Sequence, residues 1–92
     1  MNTDENGNLR ILSIDAWREG DSWTWNNWFY VGDIHKDCLN WSTRKLLKYF
    51  RDEGFLAESS VRRVGVNDDQ YNIVLLDRRT LRPLYAIEYG GY

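Results

Sequence analysis

Five arginines, Arg62, Arg63, Arg78, Arg79 and Arg82, are the side chains whose chemistry is easiest to name. A guanidinium is planar and permanently charged, and its fork donates two parallel hydrogen bonds to a carboxylate or a phosphate. Gathered in one place, five of them would grip an acidic or phosphate-bearing partner. The plain alternative is a solvated loop whose charges pair with nearby acids such as Glu58 and Asp77. A second basic set, Arg44, Lys48 and Arg51, is spaced i, i+4, i+7 and would share one face of a helix. Arg44 and Lys45 would open that helix, and Asp52 and Glu53 would close it, both against the macrodipole. Helix stability does not account for the placement. An acidic partner would, and so would screened surface charge that costs little.

The other reactive types are sparse. Asp33, His35, Asp37 and Cys38 lie close in sequence, but their spacing matches no zinc signature. Asp15, Asp68, Asp69 and Glu88 could act as a carboxylate acid–base pair or hold magnesium, although Asp68 and Asp69 are better explained as turn formers. No Gly-rich phosphate loop and no Ser/His/Asp set is present. The expectation is a protein with no catalytic residues, no metal and no cofactor. The five tryptophans have two readings: large rings that fill a small core, or exposed anchors for a partner. Trp25 and Trp28 are the candidates for the second.

These groups must be positioned by a chain of 92 residues, which allows one domain. A hydrophobic fraction of 42% is enough for one core, and a formal charge of −2 argues against a wholly basic nucleic-acid coat. The charge is polarised along the chain: residues 1–40 hold three basic and seven acidic groups, and residues 41–92 hold nine and seven. One cysteine excludes an intramolecular disulfide. No apolar run approaches the ~20 residues that span a bilayer, and the polar start does not read as a signal peptide. A cytoplasmic location is expected.

Residues 1–8 read as a flexible tail and 9–92 as a single domain. Leu9–Trp17 reads as an interior strand, with Leu12, Ile14 and Ala16 on one face. A turn at Arg18–Ser22 leads to a returning strand, Trp23–Val31. A one-residue bulge at Asn26-Asn27 would bring Trp28 and Tyr30 to the face of Trp23 and Trp25. Residues 32–40 look irregular. Ser42–Glu53 is a helix capped by Ser42, striped by Leu46, Leu47 and Phe50, and stopped by Gly54; Phe55 and Leu56 then return to the core. Three short strands follow, over 61–66, 71–77 and 84–89, with a tight turn at 67–70 and a longer loop at 78–83.

The order ββαβββ predicts an α+β fold of two layers, a mainly antiparallel five-stranded sheet with one helix on a face. If the last three strands form a meander, the start of the third lies beside the end of the fourth. Arg62, Arg63, Arg78, Arg79 and Arg82 would then share one rim, with Asp68 and Asp69 at the other. The fifth strand is expected at an uncovered edge, where it could pair with a second copy.

The segments ILSIDAW (11–17), WTWNNWFYVG (23–32), RKLLKYFRDEGFL (44–56), VNDDQYNIVLLDRRT (66–80) and PLYAIEYG (83–90) span most of the chain after the tail. In them the protein resembles small uncharacterised accessory proteins of bacteriophages and mobile elements. The resemblance carries patterns of fold and transfers no functional residue. It implies an origin class whose members often bind and block host machinery, including nucleic-acid-directed defence. The expected function is therefore non-enzymatic binding of a host protein or nucleoprotein complex. Direct nucleic-acid binding through the arginine rim and exposed rings is the alternative, and a small hydrolase ranks last.

Overall fold

The computed structural model describes residues 7–55, 61–67 and 72–89, with side chains described at 7–25, 29–55 and 73–89. Strands β1 (Asn8–Glu19) and β2 (Ser22–His35) form a long hairpin. A 3-10 helix, Lys36–Asn40, leads to helix α1 (Thr43–Asp52). Strands β3 (Val61–Asn67), β4 (Asn72–Asp77) and β5 (Pro83–Glu88) form a meander. The sheet order is β2-β1-β5-β4-β3, antiparallel throughout, which is the expected ββαβββ α+β arrangement. Among the described residues no helix is long and apolar enough to cross a membrane.

The structure departs from three sequence expectations. Strand β5 is not an uncovered edge: it lies between β1 and β4 and pairs with both, so the edges are β2 and β3. Buried Pro83 is its first residue, where a missing N–H costs least. Segment 32–40 is not irregular either, because β2 continues to His35 before the 3-10 helix begins. The cause is a second bulge. Ile11 is registered with Gly32 and Leu12 with Tyr30, leaving Val31 as an extra residue. The alternation that breaks at Val31 in the sequence resumes beyond it. At the other end, Asn8 pairs with His35, and the Lys36 N–H donates to Gly7 O at 2.9 Å, so the domain begins before residue 9.

The bulge expected near Asn26-Asn27 is present in the register: Ser13 faces Phe29 and Asp15 faces Asn26, so two β2 residues oppose Ile14 alone. Tyr30 is thereby registered with Leu12, on the face that Trp23 and Trp25 share with Arg18 and Ala16. The side chain of Trp28 lies outside the described set. At the hairpin tip Gly20 takes a φ of +63° as the first of two turn residues, the requirement of a type II′ turn.

The sheet has an apolar side under the helix and a second apolar patch on the opposite side. Under the helix, Ile11, Ile87 and Ile73 make one row across three strands, all 2% exposed or less, joined by Leu9, Ile34 and Leu75. Leu46 and Phe50, one turn apart on α1, close this core at 0% exposure. Ser42 Oγ accepts the Lys45 N–H at 3.2 Å, a standard N-cap bond. At the far end Gly54 takes a φ of +83°, its N–H donates to Arg51 O, and the Phe55 N–H donates to Phe50 O. These are the two bonds of a Schellman motif, and the 5.5 Å contact of the Phe50 and Phe55 rings supplies its apolar clasp. The Tyr85 hydroxyl donates to Phe55 O at 2.7 Å, and burial pushes its pKa up. Residues 56–60 and 68–71, which include Leu56 and positions 68–70 of the turn expected at 67–70, lie outside the described residues; Asn67 is the last residue of β3 and is registered with Asn72.

Candidate functional site

On the helix-free side, Ile14, Ala16, Val74 and Ala86 form a cluster roofed by Trp23, Trp25 and Leu76. None of the four tryptophans with described side chains is fully buried. Trp23, Trp25 and Trp41 are half-buried, Trp17 is exposed, and aliphatic residues with Phe50 fill the interior. Trp23 fixes the geometry of one end of the sheet. It stands opposite Arg18 at the tip of the β1–β2 hairpin, and its Nε1–H donates to Thr80 O in the β4–β5 turn at 2.9 Å. Two guanidinium groups sit by its ring, Arg18 with Cζ 5.1 Å from the centroid and Arg82 at 5.9 Å. Two elements far apart in sequence are thus joined by one indole.

The turn from Arg78 to Arg82 is built by Asp77. Its Oδ1 accepts the N–H groups of Arg79 and Thr80 at 2.8 and 2.9 Å and the Thr80 hydroxyl at 3.2 Å. The Thr80 amide first, and then the Arg79 amide, hold this carboxyl below the ordinary aspartate range. The Leu81 N–H donates to Asp77 O, and the Asp77 N–H donates to Arg82 O, both at 2.9 Å. Closing the loop this way places Leu81 at a φ of +65°, a conformation that costs a non-glycine residue about 1–2 kcal/mol. Leu81 is also 42% exposed, so packing returns little of that cost. Asp77 forms no ion pair within 4 Å with exposed Arg78 or Arg79, although the Arg79 charge adds to the lowering of its pKa. Among the described residues Lys48–Asp52 is an ion pair between charged side chains, and no ion pair involves Arg10, Arg18, Arg78, Arg79 or Arg82.

The expected rim can be traced in the backbone. Val61 is registered with Asp77, Arg62 with Leu76 and Arg63 with Leu75, so the start of β3 lies beside the end of β4. The side chains of Arg62 and Arg63, like those of Asp68 and Asp69, lie outside the described set. Arg78, Arg79 and Arg82 stand in the turn that follows β4, and the Trp23 bond brings Arg18 to them from the other hairpin. Trp25, two residues along β2 and opposite Ala16, continues the same face.

The basic face of α1 fares differently. Lys48 Nζ lies 2.7 Å from Asp52 Oδ2, and Lys45 Nζ sits 4.7 Å from the Trp41 ring centroid. These contacts give local partners to Lys45 and Asp52, two of the four charges placed against the helix dipole. Arg44 and Arg51 remain exposed on the same helix. Among the described residues no three of His, Cys, Asp and Glu come together to hold a metal ion. His35 Nδ1 accepts the Asp37 N–H at 3.2 Å and caps the 3-10 helix, and Cys38 is buried at 0%.

Four members of the helix-free face were absent from the sequence candidates. Arg18 and Trp23 are cross-strand partners. Arg10 lies with Cζ 5.6 Å from the Tyr30 ring centroid, and the Tyr30 hydroxyl donates to Asp33 Oδ1 at 2.9 Å. A signal for the first pair existed: a two-residue turn at Gly20-Asp21, in place of a five-residue one, puts positions 18 and 23 opposite each other. Nothing local pointed to the contacts of Trp23 with Arg82 and Thr80, 59 and 57 positions further along the chain. No protein-family model matches this chain, and no curated protein or solved structure matches it significantly, so any functional reading rests on these residues and their geometry.

Proposed function

We propose that this chain is a small binding protein with no catalytic role, and that it acts by occupying the surface of an anionic macromolecular partner. The contact is the end of the sheet built from Arg18, Trp23 and the Arg78–Arg82 turn. The observation that carries the reading is the setting of Trp23: two guanidinium groups held by one indole, beside two more in the adjoining turn, with no carboxylate of a described residue paired to any of them. Arginine and tryptophan dominate binding hot spots because they combine broad apolar contact with directed hydrogen bonds. The positive φ of Leu81 supports the same site, since backbone strain is retained where a loop must present its side chains in one arrangement. If the chain is encoded by a phage, a surface of this kind would suit the inhibition of host nucleic-acid-directed machinery. Arg44 and Arg51 form a secondary contact at most, because the helix between them neutralises Lys48 internally.

The test is capture of a partner from host cells with the wild-type chain, purification of that partner, and rebinding of the Arg18→Ala, Arg78→Ala, Arg79→Ala, Arg82→Ala variant. The reading predicts at least a tenfold loss with an unchanged circular dichroism spectrum. Rebinding at wild-type affinity would rule it out.

A further inference from the structure

We infer that the helix-free face of the β1–β2 hairpin is a track for single-stranded nucleic acid, a deepening of the reading above that rests on the same basic end. The track has a guanidinium–aromatic unit at each end. Arg18 and Arg82 flank Trp23 at one, and Arg10 lies by Tyr30 at the other. Eight residue steps along β1 take the chain from Arg10 to Arg18, about 26 Å of extended strand. Between them runs an apolar floor of Leu12, Ile14 and Ala16, with half-buried Trp25 opposite Ala16 and Tyr30, 56% exposed, opposite Leu12.

Unpaired bases need flat apolar faces, and their phosphates need planar donors at the margin. A guanidinium lying by a ring supplies both, because its outer face accepts a base while its in-plane N–H groups reach a phosphate oxygen. Among the described residues no helix covers the sheet on this side, so none of them offers a protruding element for a duplex groove. An acidic peptide would satisfy the arginines but bring nothing flat for Trp25 and Tyr30.

Among the described residues, Asp33 and Glu88 are both registered with Arg10, on the two strands that flank β1. Asp33 also accepts from the Tyr30 hydroxyl. At the Trp23 end, Arg18 meets Asp21 through the backbone carbonyl, 3.5 Å from Nη1. Phosphates are therefore held chiefly by Arg18 and Arg82, and Arg10 contributes less.

The probe is a fluorescein-labelled twelve-residue oligothymidylate, read by anisotropy against the full chain from 50 to 200 mM salt. Binding should weaken with salt, and the Arg18→Ala, Arg82→Ala variant should lower the log–log slope by about 1.4, since each single-strand phosphate contact contributes about 0.7. Tyr30→Ala, at an exposed position, should weaken binding at least fivefold and leave the slope unchanged, the signature of lost stacking. No binding at 50 mM salt, or an affinity indifferent to Tyr30→Ala, overturns the inference. Binding of a polyglutamate peptide in place of the oligonucleotide also overturns it, yet leaves the anionic contact surface standing. The contact surface itself falls only if the captured partner ignores the arginines.

Discussion

Trp23→Phe should cost more than its size suggests. Three contacts are lost or reduced together. The hydrogen bond from Nε1 to Thr80 O is worth about 1 kcal/mol net, toward the lower end because Thr80 is exposed and its carbonyl can be rehydrated. Each guanidinium contact at an exposed site is worth about 0.5–1 kcal/mol, and a phenyl ring keeps only part of it. The smaller ring also uncovers part of the Ile14, Ala16, Val74 and Ala86 patch, adding about 1 kcal/mol at the ordinary value per area. The sum is about 2–3 kcal/mol, which for a domain of this length lowers Tm by roughly 10 °C or more. Urea unfolding followed by far-ultraviolet circular dichroism reads it without relying on tryptophan emission. Adding Arg82→Ala should then cost less in the Trp23→Phe background than in the wild type, because the two act on one contact. A loss below about 0.5 kcal/mol, or full additivity with Arg82→Ala, would refute the claim that this indole ties the two hairpins together.

Leu81→Gly should raise stability by about 0.5–1 kcal/mol in the same assay, since glycine removes the strain at a φ of +65° and exposed Leu81 gives up little packing. Gly32→Ala should lower it by about 1–3 kcal/mol: a Cβ there would come 2.9 Å from Cζ of Phe55, whose ring is held by Phe50 and Tyr85. Asp77→Asn keeps an acceptor oxygen but loses the charge that two amides stabilise. Because the folded pKa of Asp77 is depressed, its contribution is complete above the ordinary aspartate pKa and disappears as pH falls through the folded value. The stability gap between wild type and Asp77→Asn should therefore be constant near neutral pH and close in acid; a gap independent of pH would show that the carboxylate charge has no part in the turn.

Local chemistry was legible in the sequence wherever one short segment decided it. Ser42 and Gly54 bound α1 because caps are set by residues within one turn of the helix end. The alternation of β1 placed Leu12, Ile14 and Ala16 on one face, and the polar pair Asn26-Asn27 marked a bulge. The second bulge, at Val31, was hidden because a β-branched residue fits a strand equally well in or out of register. Strand β5 was misplaced for a different reason. Its pairing with β1 joins segments some 70 residues apart, and no turn chemistry records it. The candidate site divides along the same line. Arg78, Arg79 and Arg82 could be placed together because a meander is local, whereas their meeting with Trp23 and Arg18 depends on that β1–β5 pairing.

The central claim is that the partner is met at the Trp23 end of the sheet. Two-dimensional nitrogen–proton NMR of the labelled chain, titrated with the purified captured partner, tests it directly. The Trp23 indole N–H and the amides of Arg18, Arg78, Arg79 and Arg82 should shift or broaden first, while those of Arg44 and Arg51 stay in place. Perturbation confined to the α1 face, with the Trp23 indole unmoved, would contradict it.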